Sequence, residues 1–179
     1  MSLQALALTA LIALTAPAQA AAERGPSTSA ERTRAVETTR RLERDPLGSG
    51  AGKDRRWLVQ WIVEIPDIEV KGCSGPLDVL KQDDGSRYGR VLYVQSMFGI
   101  AAFLIEHPRD KDDWVQVQLA GVESVLRTYR SLLSSEPGAR WKELDLLAEA
   151  RRQGKLREVI EGTMEGCGEE RVQGPGDPI

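Results

Sequence analysis

The chain carries few residues of the types that serve as nucleophiles, bases or metal ligands. It has one histidine, His107, and two cysteines, Cys73 and Cys167, among its 179 residues. A Ser-His or Cys-His pair would have to use His107, which Pro108 follows at the expected end of a helix. There the ring is expected to face solvent or the helix C-terminus. Nucleophilic catalysis and zinc sites built on several cysteines or paired histidines are therefore not expected.

Carboxylates are the remaining candidates for acid-base or metal chemistry. Glu64 alone stands among apolar residues, and the other acidic residues fall where solvated helix faces are expected. The cluster Asp110, Asp112 and Asp113 lacks the glycine and closing glutamate of an EF-hand loop, so helix capping explains it more simply. The sequence therefore predicts no catalytic residue, no metal ligand and no cofactor, and an unrecognised enzyme is the least favoured of three hypotheses.

The N-terminus has the pattern of an export signal. Residues 1–20 hold no charged side chain, are largely apolar, and end in Ala18-Gln19-Ala20, the A-x-A form that signal peptidase cleaves. The best later apolar run, residues 91–105, is shorter than the roughly 20 residues that a membrane span needs. We therefore predict a periplasmic or secreted protein that is soluble after cleavage and has no membrane span.

Export changes what the two cysteines indicate. In an oxidising compartment, two thiols in one domain favour a disulfide, here between Cys73 and Cys167, over a redox site or two buried free thiols. Net charge is −3 and the sequence pI is about 5.4. A global attraction to nucleic acid or to anionic lipid is therefore disfavoured, and no nucleic-acid partner is expected.

Composition divides the mature chain into three parts. Residues 21–54 are rich in Arg, Ser, Thr, Gly and Pro, and are expected to form a flexible polar extension with at most a weak helix near 30–44. Residues 55–170 should form a helical domain, and residues 171–179 a disordered tail. The dense apolar run 57–65 fits a buried helix or a buried strand, which periodicity does not separate.

Apolar periodicity predicts helices through most of the domain. A helix over 87–106 is apolar nearly all round, which is typical of a core centre, and Gly99 inside it predicts a close approach to a neighbouring helix. Residues 115–133 carry an amphipathic stripe that suits either a core seam or the seam of a homodimer. Further helices are expected from Pro137 and from Leu156. The fold class predicted is mainly α, a compact bundle of four to six helices clipped by one disulfide.

One charged surface stands out on the last predicted helix. Its glutamates recur at spacings of three, four and four, which places them on one helix face; they are Glu158, Glu161, Glu165 and Glu169. A solvated face is the simpler interpretation. The functional interpretation is a docking surface for a basic partner, which would speed association more than it tightens the complex.

A set of residues in this domain resembles a known family. Cys73 before the core helix, Tyr93 followed by Gly99, Pro137 ahead of a Leu/Ala helix, and a closing Cys167 resemble the periplasmic immunity proteins of type VI secretion amidase effectors. The resemblance covers about residues 70–167 and carries over no binding residues. It implies a protein that blocks a cell-wall hydrolase by surface contact. Periplasmic acid-stress chaperones are a second, weaker resemblance.

These observations favour an exported protein-binding module, with an immunity or inhibitor protein as its more specific form and a secreted hydrolase as the partner. An envelope structural or chaperone-like protein that uses exposed apolar surface is the alternative. An enzyme of unrecognised type ranks third.

Overall fold

The computed structural model describes residues 24–73, 75–81 and 88–164, and within these ranges the chain is mainly helical, with no strand. The six α-helices are, in chain order, α1 Ser29–Arg44, α2 Ala51–Glu64, α3 Gly89–Glu106, α4 Trp114–Ser135, α5 Lys142–Arg152 and α6 Leu156–Thr163. A 3₁₀ helix, Asp78–Lys81, precedes α3. The mainly helical class is confirmed. Three sequence predictions concern residues outside these ranges. They are the signal peptide at 1–20, the disulfide partner Cys167 and the tail at 171–179.

α3 and α4 form the centre of the fold and pack unusually closely. A Cβ added at Gly99 of α3 would lie 2.4 Å from the Cβ of Ser124 and 3.0 Å from the carbonyl oxygen of Ala120, both in α4. In return, a Cβ at Gly121 of α4 would lie 3.1 Å from a side-chain carbon of Ile100. The predicted close approach at Gly99 is therefore confirmed, and glycine is required because any larger residue would separate the backbones.

Two large apolar clusters lie around this central pair. One joins α4 to α5, α6 and the 3₁₀ helix, and includes Val125, Leu132, Leu144 and Ile160. The other joins α1 and α2 to the α3 residue Phe98. The stripe predicted over 115–133 packs entirely against the first cluster, so within this chain it serves as a core seam.

The structure corrects the expectation for residues 21–54. Residues 29–44 form the four-turn helix α1, whose inner face is buried against α3 and α4. Its N-terminus has a reciprocal capping box between Thr28 and Glu31. The buried face consists mostly of Ala, Thr and a glutamate. Because these residues are small or polar, the sequence alone did not indicate that this segment packs against other helices.

The structure also settles two helix boundaries. Residues 57–64 of the ambiguous apolar run belong to the helix α2, which Pro66 follows. The fifth helix begins at Lys142 and not at Pro137, because the backbone N–H of the preceding residue, Trp141, donates to the Tyr129 hydroxyl at 2.9 Å. This bond holds the chain in an extended turn ahead of α5.

α3, with 18 residues, is long and apolar enough to cross a membrane by length and composition, and 56% of the helix is buried inside the protein. A buried core helix passes the same test, so this is weak evidence for a span. The expectation that the chain has no membrane span stays a prediction. The packing of α3 against α1, α4 and the 3₁₀ helix gives the apolar surface another explanation.

Substitution of Gly99 by Ala should destabilise the fold by about 1–3 kcal/mol, because the added methyl must push α3 away from α4. This figure is a net loss, after the roughly 1 kcal/mol by which Ala is intrinsically favoured over Gly in a helix has been subtracted. Chemical denaturation provides the measurement. Gly162→Ala is the matched control, since among the described residues no atom beyond its own helix backbone and chain neighbours lies within 4 Å of a Cβ there. Equal stability of Gly99→Ala and the unsubstituted chain would refute the close-packing constraint.

Candidate functional site

Glu43, in the last turn of α1, is the one charged side chain buried among the described residues, with 5% of its surface exposed. Arg127 of α4 donates two hydrogen bonds to it, from Nε to Oε2 at 2.9 Å and from Nη2 to Oε1 at 2.8 Å. The Ser124 hydroxyl donates to the same Oε1 at 2.7 Å, and the Gln95 amide donates to Ser124 at 3.0 Å. Three helices, α1, α3 and α4, thus meet at one carboxylate.

The ion pair continues on both sides toward the surface. Arg40 bridges Glu43 to Glu106 at the end of α3. On the other side, Glu123 accepts from Arg127 at 3.4 Å and from Arg151 of α5 at 3.0 Å. The connected charges are, in spatial order, Glu106, Arg40, Glu43, Arg127, Glu123 and Arg151.

The local electrostatics favour the ionised pair. Burial alone would raise the pKa of Glu43, but the hydrogen bonds from Arg127 and Ser124 outweigh it and hold the pKa below its ordinary value of 4.5. Burial opposes ionisation of Arg127 as well, yet its bonds to Glu43 leave the pKa of the guanidinium raised. Both groups are therefore charged at neutral pH.

This arrangement is suited to holding helices and poorly suited to catalysis. Ser124 has a carboxylate neighbour, but its residue surface is 0% exposed and its hydroxyl proton is committed to Glu43. A nucleophile needs a proton acceptor and room for the reacting atom. We therefore assign the Glu43–Arg127 cluster a structural role, the seating of α1 on α3 and α4.

The side chains considered as catalysts from the sequence do not converge. His107 ends α3, is half exposed, and stacks on Phe103 with ring centroids 4.8 Å apart. Glu64 lies at the surface beside Gln60 and Arg24, so the buried carboxylate is Glu43 and not Glu64. No group of three potential metal ligands occurs among the described residues.

The aspartate cluster after α3 includes a helix cap. Asp113 precedes α4 and accepts a hydrogen bond from the backbone N–H of Gln116 at 3.0 Å. The capping interpretation of this residue is confirmed, and the expectation of no EF-hand site at this loop stays a prediction.

The predicted acidic surface lies partly within the described residues. Glu158 and Glu161 are both exposed on α6, one turn apart. Arg157 donates to Glu161 at 3.0 Å and to Gln116 of α4 at 2.9 Å, which offsets part of the negative charge. Glu165 and Glu169 lie outside the described residues.

A second surface feature, which the sequence did not indicate, is an open groove of about 630 Å³ between α4 and α5. Its apolar lining residues are Leu126, Tyr129, Leu133 and Ala148. Four arginines and two carboxylates also line the groove. The arginines are Arg130, Arg140, Arg151 and Arg152, and the carboxylates are Asp145 and Glu149. We call it the arginine groove. Its signal in the sequence is weak, because the four arginines come from three separate segments.

Comparison with known proteins gives no match: no family model matches the chain, and neither a curated protein nor a solved structure matches it. The resemblance to immunity proteins therefore stays a prediction from the sequence.

Glu43→Gln should lower the free energy of unfolding by about 2 kcal/mol at neutral pH, because it leaves the partly buried Arg127 with only its longer contact to Glu123 as counter-charge. Glu161→Gln is the matched control, since it removes an exposed carboxylate from an i,i+4 pair with Arg157. That change should stay within about 0.5 kcal/mol. Denaturant unfolding of the three proteins provides the comparison.

The same unfolding measurements, repeated at decreasing pH, distinguish the electrostatic contribution of Glu43 from its packing contribution. The folded-state pKa of Glu43 lies below 4.5, so its stabilising effect is fully present above that pH and is lost as pH falls through the lowered folded-state pKa. The stability gap between the unsubstituted chain and Glu43→Gln should therefore narrow from about pH 6 to about pH 2. A gap that stays constant would contradict an electrostatic origin.

Proposed function

We propose that this chain is an exported protein-binding module that acts by surface contact. The observation that carries the proposal is the acidic face of α6, where Glu158 and Glu161 are exposed on one side of a helix. A basic partner would be steered to such a face, with a faster association rate and a dependence on ionic strength. Export rests on the leader pattern at residues 1–20.

The more specific form of the proposal is an inhibitor or immunity protein for a secreted cell-wall hydrolase. It needs a rigid surface and no catalytic group of its own. α6 suits this role because its inner residues, Leu156 and Ile160, are buried in the core and fix the direction of the outer glutamates. A pre-organised surface spends little of the binding energy on ordering itself.

A chaperone-like envelope protein is the second candidate, and one observation favours it. Val59 and Val63 lie one turn apart on the outer face of α2, with 43% and 80% of their surfaces exposed. Neighbouring exposed apolar residues can contact unfolded clients. These two residues form a small patch.

The proposed periplasmic or secreted location is an oxidising compartment, which favours a disulfide between Cys73 and Cys167. Cys73 and Met164 line the same small cavity, and the backbone carbonyl of Thr163 lies 3.3 Å from a Cβ built on Gly75. Cys167 follows Met164 by three residues, a distance of about 10 Å for extended chain. The closeness of Met164 to Cys73 at this cavity supports the proposed bridge.

The bridge predicts an intact mass two daltons below that of the reduced protein. Native protein should resist alkylation and react at both cysteines after reduction. On the chain-entropy model, reduction should cost about 4 kcal/mol of stability. Two alkylatable thiols in the native, unreduced protein would show that the disulfide is absent.

A native pull-down from envelope and secreted extracts tests the function itself. An inhibitor should capture one stoichiometric hydrolase, release it in salt, and lose at least about tenfold in affinity on charge reversal of Glu158, Glu161 and Glu165. Bound proteins are identified by mass. Many substoichiometric clients would instead favour the chaperone.

A matched control reverses three exposed carboxylates elsewhere, Glu37, Glu69 and Asp110, with the same change in net charge. Capture should survive this control. Loss of capture with both triple variants would indicate a non-specific charge effect, and a blank with the unsubstituted protein would remove the proposal.

A further inference from the structure

The arginine groove lies between two antiparallel helices. Tyr129 of α4 donates to Asp145 of α5 at 3.1 Å, and Arg151 of α5 donates to Glu123 of α4 at 3.0 Å. Residue numbers therefore fall along α4 as they rise along α5. A shallow valley between two such helices is the surface on which a third helix packs, with its side-chain ridge in the valley.

The floor of the groove is apolar, and its extent along α4 limits the length of a helix that could bind there. Leu126 and Tyr129 are buried beneath it, while Leu133 and Ala148 are partly buried and keep a minor part of their surface exposed. The small side chain of Ala148 leaves room for an incoming side chain. From Leu126 to Ser134 the groove follows α4 for about 12 Å, which corresponds to a little over two helical turns.

The rim is positively charged although the whole chain is negative, at −3. Arg140 and Arg151 are held in place by Asp145 and Glu123, and a guanidinium with five N–H donors keeps donors to spare after one such pair. Arg130 forms no ion pair with any residue that the structure describes. Arg152, paired with Glu149 of its own helix, is 75% exposed.

We propose that the arginine groove binds a short acidic amphipathic helix of another protein. Apolar residues on one side of that helix cover Leu133 and Ala148, and flanking carboxylates pair with Arg130 and Arg152. This is the helix-in-groove mode of recognition, with charge complementarity at the rim. The surface is opposite in sign to the acidic face of α6, and the proposal does not depend on that face.

The probe is a labelled helical peptide of about 12 residues, with leucines at spacings of three and four and glutamates beside them. Fluorescence anisotropy with the purified full chain should show saturable binding, with a Kd below about 100 µM at low salt. A peptide with lysine in place of every glutamate should bind at least about tenfold more weakly.

Two variants of the protein separate groove binding from general attraction. Arg130→Glu with Arg152→Glu should weaken binding at least about tenfold, whereas Arg56→Glu with Arg109→Glu, the same charge change at remote exposed sites, should change it less than about threefold. Ala148→Arg adds positive charge but fills the groove. It should weaken binding of the acidic peptide. Attraction between opposite charges alone would instead make this variant bind more tightly. Circular dichroism melts confirm folding of each variant.

Several results would overturn the proposal. These are an absence of saturable binding, equal effects of the two double variants, or unchanged or tighter binding by Ala148→Arg. Binding to vesicles that contain phosphatidylglycerol, lost in Arg130→Glu with Arg152→Glu and without any binding of the peptide, would assign the groove to a membrane surface instead. None of these outcomes bears on the proposed function, which the pull-down with the α6 variants tests separately.

Discussion

The close approach of α3 to α4 is the constraint on which the rest of the structure depends. Gly99 and Gly121 each face the other helix, and the contact at Gly99 is with Ser124 and Ala120. Small side chains bring two helix backbones together, but they also leave little apolar volume at the contact. The polar groups Ser124 and Gln95 are buried at this contact, so the element that covers it has polar as well as apolar groups to match.

α1 provides the match. It presents Ala35, Thr38, Thr39 and Leu42 toward the pair and places Glu43 against Ser124 and Arg127. A buried ion pair adds less net stability than its Coulomb attraction suggests, since both groups lose water. The two-pronged contact from Arg127 is directional, however, so it favours one rotation and one register of α1 over its neighbours. Apolar contacts from alanine and threonine alone would discriminate among these much less.

This chemistry explains which elements could be predicted from the sequence. α3 and α4 have dense apolar patterns, so their helices, the role of Gly99 and the cap at Asp113 followed from periodicity and local hydrogen bonding. α1 was predicted only as a weak helix within a flexible segment, because a face of Ala, Thr and Glu is buried by tertiary contacts that no local pattern records.

For the same reason Glu64 was singled out in place of Glu43, whose partner Arg127 is distant in sequence. The exposure of Glu158 and Glu161 on one side of α6 was predictable because their spacing lies within one helix, whereas the arginine groove required knowledge that α4 and α5 are antiparallel.

Glu123 connects the interior to the surface. It accepts from Arg127, which holds the buried Glu43, and from Arg151, which lines the arginine groove. The side chain that fixes one part of the groove rim therefore belongs to the same set of ion pairs that seats α1. The arginine groove is thus anchored to the three-helix junction at Glu43 as well as to the α4–α5 turn, where Tyr129 binds the backbone of Trp141. Support from both ends gives a surface whose shape is set before any partner arrives, and such pre-organisation lowers the entropic cost of binding.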